Sequence, residues 1–316
     1  MRHEFEPRIG GLGMNWKKLV VVAGMTTGIV GAGCGGDDTT MTPVELCSSG
    51  TCDTHTYLTN VLSIPQMDAD GHVPGFNIDG TDATVCMQMD ATGPAPDNIT
   101  GVDNSVGPTL GGLVGSMIQD NVDDGSVLLI MQLDGVDDFT NDDRVKLTVL
   151  LAEVPSGVTL MHDASGRISA GQDFDVNELS YTDAAHTMAA VTFDNGKIVN
   201  GRFQAGPDDF PLSISLMGAS LSLTVHSTQI RFNVTETAIS AGVLGGGLNV
   251  DEVNNTVMNT PALAEYADTV AMVLASFADL DPNAEGTCES ASVAMEFGGV
   301  GAGLTGTVVA SPSAAQ

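Results

Sequence analysis

Residues 210–240 read FPLSISLMGASLSLTVHSTQIRFNVTETAIS. Apolar residues recur at every second position, at Leu212, Ile214 and Leu216 and again at Leu221, Leu223 and Val225, with serines and threonines between them. A period of two sends alternate side chains to opposite faces of an extended chain, one dry and one wet. Met217-Gly218-Ala219 separates the two runs as a turn. Toward the N-terminus, SVLLIMQLDGV (126–136), VKLTVLLAEV (145–154) and MAAVTFDNGKIVNGRFQAG (188–206) continue the β pattern, with Asp194-Asn195-Gly196 as a further turn. Short strands joined by turns in this way predict a mainly β chain, folded as an antiparallel sandwich or a barrel-like domain.

Toward the C-terminus, Gly242 to Gly247 (GVLGGG) reads as a break in the sheet. Asn249 to Ala278 then reads as a helical insertion of two helices split at Pro261. The second helix would place Leu263, Tyr266, Ala267, Val270, Val273, Leu274 and Phe277 on one face. Ser292 to Phe297 and Leu304 to Val309 read as closing strands. Upstream, Tyr57 to Pro65 is a first strand and Ser105 to Val122 a glycine-rich accessory helix. The expected organisation is a segment from 57 to 125 followed by a β-rich domain from 126 to 316. The roughly 260 residues from 57 onward can bury a sizeable core as one large β domain or two smaller ones.

The first 33 residues read as an export signal. Trp16-Lys17-Lys18 precedes the apolar run Leu19 to Val30, and Gly31-Ala32-Gly33 stands before Cys34. A basic start, a short apolar stretch and small residues at the cleavage site define such a signal, with translation able to start at Met14. The run is too short and glycine-rich for a membrane-crossing helix, which takes about 20 apolar residues. It resembles a bacterial lipoprotein signal peptide, in which the cysteine is diacylated and becomes the mature N-terminus; Ala32, Gly33 and Cys34 match, while Gly31 stands where Leu is usual. That resemblance implies lipidation of Cys34 and a membrane contact through lipid, since several acyl chains on one residue hold durably. Residues 34–56 are then a flexible tether with a cysteine-bracketed turn, CSSGTC.

The formal net charge is −30. Without residues 1–33, which carry four of the 10 basic residues and two of the 40 acidic ones, it is −32. Such a surface repels phosphate backbones and excludes nucleic acid as a partner. Four cysteines remain beyond Cys34: Cys47, Cys52, Cys86 and Cys288. An even number in an exported chain favours disulfides, with three pairings open; Cys47 with Cys52 and Cys86 with Cys288 is the favoured set.

Residues 66–104 are rich in Asp, Gly, Asn and Pro and carry little periodicity. A structureless stretch of this length calls for something that orders it. MDADGH offers Asp68 and Asp70, GFNIDGTD offers Asn77, Asp79 and Asp82, and PDNITGVDN offers Asp97, Asp103 and Asn104. Calcium takes about six to eight oxygen ligands from such side chains and from carbonyls. The glutamate that ends an EF-hand loop is missing, so this is not that motif.

The succession GFNIDG, Cys86, PDNITGVDN, a glycine-rich helix and GSVLLIMQL is similar to predicted secreted lipoproteins common in myxobacteria-like deltaproteobacterial genomes. Those carry GFDLDG-type and GIDN-type motifs before a β-rich region and a late CxxxSVxxxF-type segment, here Cys288 to Phe297. The resemblance implies a shared architecture and an envelope location. Those proteins often have Asp where this chain has the neutral Asn77.

Neither a GxSxG elbow nor an HExxH motif occurs, and the histidines lack metal-ligand spacing. The expected function is therefore noncatalytic: a lipid-anchored envelope protein, placed at the outer membrane, whose β domain binds another surface component and whose acidic loop is ordered by calcium. A carrier of a hydrophobic ligand, with the glycine run and the Met272 to Phe277 helix lining an apolar pocket, is the alternative, and a secreted hydrolase the third class.

Overall fold

The computed structural model describes residues 20–21, 53–82, 86, 90–216 and 219–310. Cys34, Cys47 and Cys52 lie outside the described residues, as does nearly all of the expected signal; Val20–Val21 (β1) pairs with Ser215 and Ile214.

The chain forms an eight-stranded antiparallel barrel with further strands and three helices outside it. The wall runs β2 (Asp53–Ser63), β3 (Leu129–Val136), β4 (Asn141–Glu153), β6 (Val191–Val199), β7 (Arg202–Leu216), β8 (Ala219–Val234), β9 (Ala238–Asn249) and β11 (Cys288–Gly301), which pairs back onto β2. Neighbours in space are neighbours in order along the chain, so this is an up-and-down meander. Its closure leaves no free edge in the wall.

The direction of each strand follows from the antiparallel pairing. The connections 137–140, 200–201 and 235–237 therefore lie at one mouth, where Asp53 also begins the wall. The connections 64–128, 154–190 and 250–287 all leave from the opposite mouth. The first holds the acidic segment and α1 (Gly107–Asp123), which packs along β2. The second holds β5 (Asp173–Asn177), paired with β4 and, in parallel, with β12 (Gly303–Val309). The third holds α2 (Val250–Met258), α3 (Ala267–Ala275) and β10 (Ala278–Pro282).

An eight-stranded barrel is just wide enough for its own side chains, and aromatic rings fill this one. Phe203 stacks on Phe232 at 4.7 Å and Phe232 meets Phe297 edge-on at 5.7 Å, with Phe193 buried in the same core. Outward positions on the same strands are polar, among them Lys197, Gln204, Gln229 and Asn233.

Two readings of glycine-rich stretches are corrected. Gly242 to Gly247 does not interrupt the sheet; it is the middle of β9, paired on one side with β8 and on the other with β11. A Cβ on Gly242 would sit 2.6 Å from the Phe297 ring, and one on Gly246 would sit 2.6 Å from the His226 carbonyl. The missing side chains make room for the aromatic core. Asp194-Asn195-Gly196 is likewise no hairpin turn. It is a bulge within β6, opposite the register shift between Val145 and Leu147 of β4, and the turn falls at Asn200-Gly201. The expected hairpin near Met217 stands, in that Leu216 and Ala219 pair as the flanking residues; 217–218 lie outside the described residues.

The helical insertion divides around Pro261 as expected. Leu263 and Ala267 are buried with Val253, Val257 and Leu221, but Tyr266 and Val273 are exposed. A short 3₁₀ turn over Ala264–Tyr266 precedes α3 and shifts the face that a continuous helix would have buried.

Candidate functional site

The acidic segment is folded against the outside of the wall. Phe76 pairs with Asp103 and packs on Val243 and Ala294. Arg231, an outward residue of β8, is 5% exposed beneath it, donates to the Gly75 carbonyl at 2.8 Å and lies over the Phe76 ring. Cys86 is bonded to Cys288 at the start of β11, 202 residues away, as the favoured pairing predicted.

The eight residues expected as metal ligands fall into four places. Asp97 is an ion-pair partner: it accepts from both terminal nitrogens of Arg202 and from Nε of Arg231 at 3.3 Å. The Arg202 hydrogen bonds hold its carboxyl below the usual carboxylate range, while burial brings Arg231 down to about 10. Asn104 is a bracket. Its Oδ1 accepts from the N–H of Gly107 at the start of α1 and its Nδ2 donates to the Pro74 carbonyl. Asp68 and Asp70 lie with His72 in an exposed group, their ligand atoms within 4.8 Å of one another. Asp68 there closes a turn on the N–H groups of Asp70 and His72.

The remaining four, Asn77, Asp79, Asp82 and Asp103, lie on two stretches of chain that hydrogen-bond to each other, but their carboxylates do not gather into a metal-binding group among the described residues. Asp103, 2% exposed, accepts from the N–H groups of Ile78 and Asp79 through Oδ2. Its Oδ1 is buried with no hydrogen-bond partner among the described residues. Burial pushes this carboxyl up to about 7. The Asn77 Nδ2 lies 3.1–3.3 Å from three oxygens: the Thr81 carbonyl, Asp82 Oδ1 and the Thr100 carbonyl. Its Oδ1 is buried and unpartnered among the described residues. Asp79 turns the loop by accepting from the Thr81 N–H.

The sequence reading missed Asp90. Its Oδ2 is a third buried, unpartnered oxygen among the described residues, and burial, then the charges of Asp79 and Asp82, raise its pKa. The sequence around it, MQMDAT, has no Asp-Gly turn to draw attention. Gly101 has a φ of +66°, and a Cβ there would lie 2.4 Å from the Thr81 carbonyl and 2.5 Å from the Asn77 amide. Glycine at this position is what lets the 77–82 loop close on residues 100–103.

Beside this group, a cavity of about 160 Å³ is lined by residues that include Met67, Val73, Val102, Ser105, Pro108 and Asp279. Asp279 is buried and bonded to Ser292 through the N–H and the hydroxyl, and its pKa is raised by burial. Elsewhere on β8, His226 is held between Asp209 at 3.1 Å and Glu252 at 2.8 Å. Met272, expected to line an apolar pocket, is 67% exposed on α3. Among the described residues no helix is long and apolar enough to cross a membrane. No protein-family model, curated protein or solved structure matches this chain.

Proposed function

We propose that this protein is a noncatalytic, lipid-anchored component of the cell envelope, placed at the outer membrane, whose barrel carries a folded surface segment for contact with another envelope or extracellular component. The observation that carries this reading is the Cys86–Cys288 bridge. Disulfides of this kind persist in oxidising compartments, in keeping with an export signal that ends at Cys34. The likeness of GFNIDG and PDNITGVDN to motifs of secreted lipoproteins points the same way.

The topology supports a display role. The tether from Cys34 leads into Asp53 at the mouth with tight turns, whereas the long connections leave from the other mouth. Because aromatic side chains fill the barrel centre, recognition falls to the outer wall and its connections. Arg231 and Arg202, themselves outward residues of that wall, are used to pin the acidic segment in place.

Fractionation of cells fed a labelled fatty acid tests the proposal. The expected result is a labelled protein in the membrane fraction and an unlabelled Cys34→Ala variant released from it. An unlabelled, cytoplasmic wild-type protein with Cys86 and Cys288 open to alkylation would overturn it.

A further inference from the structure

We infer that the exposed face of α3, together with the end of α2, is a docking surface for a basic amphipathic helix of a partner protein. Helix α3 reads ADTVAMVLA and carries a single charged residue, Asp268. Its Ala267 is buried with Val253, Val257 and Leu263, and Val270 and Leu274 pack on the same cluster. Met272 and Val273 stand outside that cluster and are exposed. A helix that is apolar all round is ordinarily covered on every side. This one is covered on one.

The apolar surface extends past α3. Met258 at the C-terminal end of α2 and Tyr266 in the short turn before α3 are exposed as well, and α2 packs on both that turn and α3. Four of the ten large apolar side chains exposed among the described residues therefore fall within residues 258–273. Apolar surface gathered in this way marks a place of contact, and unbranched methionine adapts its shape to a partner's side chains.

Charge selects the class of partner. No Lys, Arg or His occurs after Arg231. On the helical insertion, Asp251, Glu265 and Asp268 are exposed and have no basic partner among the described residues, while Glu252 is held by His226. An apolar strip framed by acids alone fits a helix whose own apolar strip is framed by Lys and Arg. A second copy of this chain, with 40 acidic and 10 basic residues, is a poor source of that complement, and an anionic bilayer is repelled by the same acids. The insertion leaves from the mouth opposite Asp53, where the tether enters. The inference deepens the envelope reading by giving the class of the partner, and rests on it only for the direction in which this surface faces.

Titration calorimetry of the purified protein, disulfide intact, at about 0.15 M salt tests it with a synthetic peptide of leucine and lysine patterned as an amphipathic helix. Binding at least tenfold tighter than that of the same peptide in scrambled order is expected, and none of a leucine–glutamate version. Met272→Gln/Val273→Gln should weaken it at least tenfold with an unchanged circular dichroism spectrum, and Glu265→Gln/Asp268→Asn should weaken it while steepening no other property of the fold. Met161→Gln, an equally exposed methionine on the connection between β4 and β6, should leave binding as in wild type. Equal binding of the scrambled peptide, binding that survives Met272→Gln/Val273→Gln, or an equal loss in Met161→Gln would overturn the inference. So would adsorption to phosphatidylcholine vesicles, or a dimer in sedimentation, that disappears in Met272→Gln/Val273→Gln, since a lipid or a second copy would then be the occupant. A protein that binds the peptide but fractionates with the cytoplasm would sink the envelope reading and leave this one standing.

Discussion

The guanidinium carbon of Arg231 lies 4.1 Å from the centroid of the Phe76 ring. One residue belongs to the barrel wall and the other to the acidic segment, immediately before Asn77. A stacked, largely desolvated cation of this kind is worth about 2 kcal/mol. The contact joins two parts of the chain that composition alone would treat as a core and a loop. Asp97 completes the joint by pairing with both Arg231 and Arg202.

Removing that neutralising charge should be expensive. Asp97→Asn leaves Arg231 buried without its counter-ion, and a broken buried pair costs about 3 to 5 kcal/mol. Urea unfolding checks this through the midpoint. Asp194→Asn, which breaks the exposed 3.5 Å pair with Lys146, should change stability by less than about 1 kcal/mol.

Gly242→Ala should destabilise the barrel by about 1 to 3 kcal/mol, because the added methyl collides with the Phe297 ring and overpacks the core. Gly298→Ala, where the nearest neighbour of the new Cβ is at 3.6 Å, should stay within about 0.5 kcal/mol of wild type. Equal effects at the two positions would contradict the packing described for β9.

The Cys86–Cys288 bridge closes a separation of 202 residues. In the chain-entropy account a loop of that size contributes about 5 kcal/mol. The Cys86→Ser/Cys288→Ser variant should show a correspondingly lower urea midpoint, and limited proteolysis should cut it first within residues 66–104.

His226 gives a pH dependence of definite sign. Burial alone would lower its pKa, but the hydrogen bonds and charges of Glu252 and Asp209 outweigh that and raise it. The protonated form therefore favours the folded state. Its contribution is complete below the ordinary histidine pKa of about 6.5 and disappears as pH rises through the raised value. Solvent exposure of both carboxylates keeps the amplitude under about 1 kcal/mol. His226→Gln should flatten that part of the profile of unfolding midpoint against pH.

How far the sequence could be read depends on what each residue contributes locally. β8 was legible because Leu221, Leu223 and Val225 alternate with polar residues; the center of β9 was not, because Gly245-Gly246-Gly247 has no side chains to alternate. Asp194-Asn195-Gly196 carries turn chemistry, yet the space that Phe203 needs beside Gly196 decides its place in a bulge. In the acidic segment, composition drew attention to the acidic residues only as a group. It could not separate Asp97 from Asp103, because the arginines that claim Asp97 stand 105 and 134 residues away. Asp90 drew no notice for a related reason, since its burial and the charges of Asp79 and Asp82 beside it come from folding rather than from a local motif.

Alkylation of free thiols in intact cells, followed by fractionation, is the most direct measurement. The account predicts wild-type protein in the membrane fraction with Cys86 and Cys288 closed to alkylation by their bridge, and a Cys34→Ala variant released from that fraction. A cytoplasmic wild-type protein with both thiols alkylated would contradict it.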